Sequence, residues 1–292
     1  RNVQLPSAAE DMAALRCRMI RNYDIPSEKG EYDFVVAGGG VAGMCAAVAA
    51  ARKGLKVALI HDRPVLGGNN SSEDSVHLGG SIESGPYPNL GNMIKEFGHT
   101  KKGNAKAAEN YEDGKKMSFV EDEENISLFL NCHVTDVEMK DGRIATLLAR
   151  DIETGELMRF SAPLFSDCTG DAAVGYLAGA EWRSGRESVE QTGEPGAVEV
   201  PDRQVLGASV QWNSKDMGQE SPFPVFEYGK VFSEESVQKV THGEWTWETG
   251  MLRDQVLEAE RVRDHGLLVV YSNWSYLKNR SSVRNEYDSR AL

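Results

Sequence analysis

The spacing of apolar residues changes character early in the chain. Phe34–Ala37 is an unbroken apolar run, partly β-branched, and predicts a strand buried on both faces. Val41–Lys53 is rich in Ala, with Met and Arg, and predicts a helix that Gly54 ends. Leu55–Ile60 predicts a second strand, so the segment opens as a βαβ unit. From Ile126 the pattern turns to strands. Ile126–Met139, Arg143–Asp151 and Leu157–Ser161, joined at Asp141-Gly142 and Thr154-Gly155, predict a three-stranded meander. Ala172–Gly179 reads as a helix.

The flanks carry weaker patterns. Ser7–Glu10 forms a capping box ahead of Met12, Leu15, Met19 and Ile20 at helical spacing, and Ile25–Gly30 reads as a linker. Leu90–Phe97 predicts a short helix, and the charged, Gly-containing stretch Lys101–Lys116 a solvated surface. Beyond it, Gln204–Trp212 predicts a strand. Alternation in Glu244–Glu248 puts Trp245 and Trp247 on one strand face, as core packing or as a platform for a flat ligand. Asp254 is expected to cap a helix running to Leu277, with Val256, Ala259, Val262, Val270, Trp274 and Leu277 toward a core. These elements divide the chain into an N-terminal helical appendage and linker (1–30), a nucleotide-binding domain (31–182) and a substrate-domain portion (183–292).

Composition narrows the class. The 292 residues are 40% hydrophobic and 26% charged, as in soluble globular proteins. A net charge of −13 argues against nucleic acid and against anionic membrane surfaces. The four cysteines show neither C-x-x-C nor metal-ligand spacing. Phe34–Ala51 runs without a charge, and Gly39-x-x-x-Gly43 mimics a membrane dimer motif. Three adjacent glycines nevertheless suit a turn better than a helix interior, so no transmembrane segment is expected. With Arg1 in place of Met at the start, the compartment stays open.

Gly38, Gly40 and Gly43 fall at G-x-G-x-x-G spacing between the first strand and the helix. In that setting Gly38 permits the tight turn, Gly40 lets a pyrophosphate approach the backbone, and Gly43 lets the helix pack close to the strand. The helix start at Val41 and Ala42 then presents N–H groups and a positive dipole end to the phosphates.

The next block, His61-Asp62-Arg63-Pro64-Val65-Leu66-Gly67-Gly68-Asn69-Asn70-Ser71-Ser72-Glu73, makes the resemblance specific. It resembles the FAD-binding start of glutathione-reductase-type flavoproteins, and is more closely similar to a large bacterial family of FAD-dependent oxidoreductases. The resemblance implies an α/β fold: a parallel-sheet, Rossmann-like FAD/NAD(P)-binding domain with a β-meander, plus part of an inserted α+β substrate domain. It implies FAD as cofactor and hydride transfer between flavin and a small-molecule substrate.

Residue by residue, it places Gly67, Gly68, Asn69 and Ser72 against FAD. In relatives an acid ending the second strand holds the adenosine ribose. Here His61 takes that place with Asp62 and Arg63 next, so either Asp62 turns inward or His61 binds the ribose itself. Val134 matches the strand position whose backbone meets the adenine, and Thr169-Gly170-Asp171 resembles the motif that stops beside the cofactor. Glu73 and His77 are the catalytic candidates. His77 exchanges protons near neutral pH, anchors FAD covalently, or is an ordinary hydrogen-bonded loop histidine. A nicotinamide-dependent dehydrogenase and a non-catalytic remnant of the fold are the alternatives. Nothing after Trp182 matches the returning strand and Gly-Asp motif of such flavoproteins. The expectation is that the polypeptide continues past Leu292 or that a second chain completes the FAD site.

Overall fold

The computed structural model of the chain describes residues 25–98, 103–244 and 247–292. The capping box at Ser7–Glu10 and its helix therefore lie outside the described residues, as do Trp245 and Thr246. The chain forms two compact units. The first takes the chain up to Gly68, Ser81–Gly98 and Asp113–Glu181; the second takes Asn69–Gly80, 103–112 and Trp182–Leu292.

In the first unit, β2 (Phe34–Ala37), β3 (Val57–Ile60), β4 (Ile126–Phe129) and β8 (Leu164–Asp167) form a parallel sheet in the order β4-β3-β2-β8. Every residue of β3, and Val35–Ala37 of β2, is buried, which explains the unbroken apolar runs. Helix α1 (Val41–Ala51) buries Gly43, Met44, Ala47, Val48 and Ala51 at helical spacing and packs along β2 and β3. Gly54 follows it with φ +86°, the left-handed conformation that commonly ends a helix.

A second sheet has the order β1-β7-β6-β5, from β1 (Ser27–Glu31), β5 (Cys132–Lys140), β6 (Arg143–Asp151) and β7 (Leu157–Ser161). Its meander face (Val134, Val137, Leu147, Ala149, Met158, Phe160) shares one core with Val35, Ala37, Ala58 and Ile60 of the parallel sheet. The meander thus covers the sheet face opposite α1. A register shift between Val134 and Asp136 moves the buried side of β5 from Cys132 and Val134 to Val137. The shorter helices are α2 (Ile94–Phe97), α3 (Asp113–Glu121) and α4 (Ala173–Leu177).

Several expectations are corrected here. The stretch read as a linker supplies β1, which pairs parallel to β7 and is tied to it by Arg159–Glu28 and Lys29–Glu156 ion pairs. Ile126–Met139 is not one strand. Asn131 takes φ +55°, and the chain leaves β4 in the parallel sheet to start β5 in the meander. Within 101–116, Lys116 and Tyr111 are buried, so that stretch is not simply a solvated surface.

The second unit is built on α6 (Ala259–Asn279), whose Val270, Trp274 and Leu277 pack with Trp212, Val237 and Tyr287. The helix preceding it, α5 (Val189–Thr192), is a single turn capped by Ser188 and Gln191. Asp254 does not begin α6. Its carboxylate accepts the N–H groups of Val256 and Leu257 in a separate turn, and Val256 and Ala259 stay exposed. Gln204–Trp212 is mostly irregular; only β9 (Trp212–Asn213) is strand, pairing with β11 (His242–Gly243). Trp247 stacks on Trp212, with ring centroids 6.4 Å apart. The tail does carry a strand: β12 (Arg290–Ala291) pairs with β10 (Lys215–Asp216). Among the described residues no helix is long and apolar enough to cross a membrane.

Lys278 anchors that tail. Its ammonium donates to the carbonyls of Tyr287, Asp288 and Arg290 at 2.6, 3.0 and 3.0 Å, from a nearly buried position. Lys278→Met should leave these carbonyls without their donor and destabilise the unit by about 1–3 kcal/mol. Amide exchange at 284–292 should quicken first; unchanged protection there would refute the anchor.

Candidate functional site

The first unit's site grows from the end of β2. Strand β2 stops at Ala37 and α1 starts at Val41, so Gly38–Gly40 make the whole turn. Gly38 has φ +102°, and a Cβ there would collide with the carbonyl of Cys168, which runs beside it from β8. A Cβ on Gly43 would collide with the Gly38 carbonyl, so the helix sits directly on the turn. On Gly39 a Cβ would meet Leu66 Cδ2 at 2.6 Å and His61 Cγ at 2.7 Å. These three glycines are required by the protein itself.

Gly40 is different. Its backbone is extended, with φ −66° and ψ 178°, and the nearest protein atom to an added Cβ is Gly68 Cα at 3.9 Å. No protein atom demands glycine there. The open space lies at the N-terminus of α1, which has no side-chain cap and no acidic residue in its first turn. The first helical N–H groups have no acceptor within the helix, and the dipole adds positive potential. Gly67 crosses the turn, its N–H donating to the Gly39 carbonyl at 2.9 Å, and Gly68 follows with φ +56°. The result is a glycine-walled cradle whose vacant wall is Gly40, and it fits the pyrophosphate of a dinucleotide such as FAD.

The other sequence candidates of this unit surround the turn. His61 is buried, and both ring nitrogens face the protein: Nδ1 accepts the Gly39 N–H at 3.0 Å and Nε2 lies 3.0 Å from the Val65 carbonyl. Both ring nitrogens are thus engaged by backbone groups. Asp62 is half exposed, with Oδ1 3.5 Å from His61 Nδ1 and Oδ2 3.9 Å from His133 Nδ1. Arg63 is exposed, and its carbonyl accepts the Asn131 N–H. Val134 is buried in the core, on a strand that forms one edge of its sheet and so keeps a row of backbone groups outside the β6 ladder.

At the end of β8, Asp167 is an organiser that sequence reasoning missed. Its Oδ1 accepts both the Thr169 N–H at 3.1 Å and the Thr169 hydroxyl at 2.7 Å, and Oδ2 accepts the Gly175 N–H at 2.9 Å. Thr169 in turn caps Ala173 at 2.9 Å. Gly170 takes φ +89° in this turn, and Asp171 is exposed.

In the second unit, Asn69–Gly80 forms a polar loop. Asn69 is exposed and its carbonyl accepts the Val76 N–H, while the Ser72 carbonyl accepts the Ser75 hydroxyl. Glu73 is exposed, its N–H donating to Ser71. Asn70 is buried; its amide donates to the Val76 carbonyl, and its Oδ1 has no partner among the described residues.

His77 is the ordered one. Asn104 Oδ1 lies 3.0 Å from the His77 backbone nitrogen and 2.7 Å from Nδ1. The backbone N–H can only donate, so Asn104 Oδ1 is an acceptor, Nδ1 carries the proton, and Nε2 is left with the lone pair. Asn104 Nδ2 donates to Glu244 at 3.4 Å. Asn104 and Glu244 were not among the sequence candidates, because loop 103–112 shows no periodic signal. Among the described residues no group of three or more His, Cys, Asp or Glu could hold a metal ion.

The cradle sorts its glycines by a stability test. Gly38→Ala and Gly43→Ala should each cost several kcal/mol by forcing backbone apart, whereas Gly40→Ala should stay within about 1 kcal/mol of the parent. Thermal melts of the ligand-free proteins read the contrast, and equal losses at Gly38 and Gly40 would contradict it.

No curated protein matches the chain. Solved structures that resemble it include Sdh1 of Mycobacterium smegmatis in complex with UQ1 (19% identity, TM-score 0.33, covering 48% of this chain and 34% of that one). Another is a geranylgeranyl bacteriochlorophyll reductase-like protein of Thermoplasma acidophilum (20% identity, TM-score 0.37, 53% and 43%). A third is a 3-ketosteroid-delta4-(5alpha)-dehydrogenase of Rhodococcus jostii RHA1 (15% identity, TM-score 0.34, 47% and 45%). The chain spans less than half the length of each of these proteins. The sequence profile of the FAD dependent oxidoreductases, by contrast, matches residues 33–288, nearly the whole described chain. The chain belongs to the FAD-dependent oxidoreductase family, whose cofactor is FAD.

Proposed function

We propose that the cradle of the first unit binds FAD and that the chain takes part in oxidation or reduction of a small molecule. The observation that carries this reading is Gly40, a glycine with no protein neighbour to require it, at an uncapped helix start. Val41, Ala42 and Gly43 would hold the pyrophosphate through the first turn of α1, with Gly67 and Gly68 closing the other side. Asp62 would hold the ribose, the edge of β5 at Val134 would meet the adenine, and Thr169–Asp171 would lie along the cofactor's other half. When bound, FAD supplies hydride acceptance and donation.

Proton handling is assigned to His77, whose Nδ1–H donates to Asn104 and leaves the lone pair on Nε2. Asn69, Ser72 and Glu73 would line the same polar loop. In the first unit β8 forms an edge of the parallel sheet, with Leu164 exposed. A strand from elsewhere in the polypeptide, or from a second chain, would join the sheet there.

The test is retention of FAD through gel filtration, read by visible absorbance. The parent chain should keep flavin. Gly40→Val should stay folded and lose at least about tenfold in affinity, equivalent to ~1.4 kcal/mol. Retention of a nicotinamide dinucleotide in place of FAD, or normal flavin content in folded Gly40→Val, would overturn the assignment. For His77, nitrogen NMR should find Nδ1 protonated and Nε2 bare near neutral pH, and Asn104→Leu should mix the two tautomers. A bare Nδ1 in the parent protein would remove His77 from the role.

A further inference from the structure

We infer that His61 is a positioning residue whose neutral ring locks the nucleotide turn, and that a proton added to this ring loosens FAD. The inference rests on the cradle being an FAD site.

Gly39 lies outside the G-x-G-x-x-G positions, so the nucleotide motif does not ask for glycine there. The structure supplies the reason: the His61 ring occupies the space of its side chain, 2.7 Å from the position of a Cβ. The contact is also a hydrogen bond, because the Gly39 N–H donates to Nδ1 at 3.0 Å. With Nδ1 accepting, the ring proton sits on Nε2 and is donated to the Val65 carbonyl at 3.0 Å. Two residues beyond Val65, the Gly67 N–H returns to the Gly39 carbonyl at 2.9 Å. One buried ring therefore closes a circuit that holds both walls of the cradle in register, and only the neutral Nε2–H tautomer completes it.

A protonated ring carries N–H at both nitrogens. Nδ1–H would then face the Gly39 N–H, donor against donor, and that bond is lost. The acceptor within reach is Asp62, whose Oδ1 is 3.5 Å from Nδ1. The ring would exchange Gly39 for the carboxylate assigned to the ribose, so one proton disturbs both the turn and a proposed contact to the cofactor. The other titratable groups nearby are Arg63, next in the chain, and His133 and Cys132 on β5. His133 Nδ1 is 3.9 Å from Asp62 Oδ2. Burial pushes the Cys132 thiol up to about 11, so it stays neutral across the range that matters.

The test titrates FAD into the full chain by quenching of flavin fluorescence, at about pH 8 and at about pH 5.5, on either side of the ordinary imidazole range. The parent should lose about tenfold or more in affinity on acidification. His61→Gln offers an acceptor and a donor on a group that does not titrate. Whatever its affinity at the higher pH, it should lose far less than the parent on going to the lower. His133→Gln should keep most of the parent's pH dependence. A parent affinity that is flat with pH, or a His61→Gln profile as steep as the parent's, overturns the proposal and leaves the FAD site standing. A parent chain that binds no FAD at the higher pH overturns both. Nitrogen NMR of the parent ring gives a readout independent of the variants' folding: Nδ1 must be unprotonated at neutral pH, and a protonated Nδ1 refutes the lock.

Discussion

Backbone packed directly on backbone, where β2 meets α1, sets the terms for the first unit. The Gly38 carbonyl lies where a Cβ of Gly43 would be, and the Cys168 carbonyl where a Cβ of Gly38 would be. Strand, helix and the end of β8 are thereby drawn to one point without a side chain between them. Because protein interiors tolerate little displacement, that contact fixes the direction in which α1 points and so the site at its N-terminus. The meander contributes from the other face: its apolar row shares a core with β2 and β3, which keeps the parallel sheet dry on the side α1 does not cover.

The second unit is organised on another principle. Its regular structure is sparse, with one long helix and two-residue strands. Its order comes from aromatic packing around Trp274 and from side chains that grip backbone. Asn273 exchanges hydrogen bonds with Gln238, Ser272 and Ser275 accept N–H groups of Lys230 and Phe226, and Lys278 gathers carbonyls of the tail. Loops held in this way are suited to carrying an oriented histidine such as His77, whose partner Asn104 is itself buried.

Much of this was legible in the sequence, and the reason lies in the kind of signal. The parallel strands and α1 announce themselves because both faces of β2 and β3 are buried, leaving continuous apolar runs. The meander turns at Asp141-Gly142 and Thr154-Gly155 are local chemistry. Gly38, Gly40 and Gly43 follow a spacing that has a physical cause. What stayed hidden depends on long-range pairing or on single side chains. β1 is polar in sequence and becomes a strand because β7 offers it an edge. The break between β4 and β5 rests on one left-handed Asn131. Lys116 is buried despite its charge, and Asn104 and Asp167 act through bonds to residues that no local pattern connects to them. His61 was visible as a departure, but its inward-facing ring was not, because nothing in the sequence says which way a side chain at a strand end turns.

The glycines of the turn also differ in what would preserve them over time. Gly38, Gly39 and Gly43 are kept by the fold: a lineage that stopped using its cofactor would still need them to stay folded. Gly40 has no such protection, since alanine or serine could occupy it without disturbing a neighbour. Under relaxed selection it would be among the first positions of the motif to drift. Its glycine thus answers to no contact within the protein, whereas the other three answer to the protein's own packing.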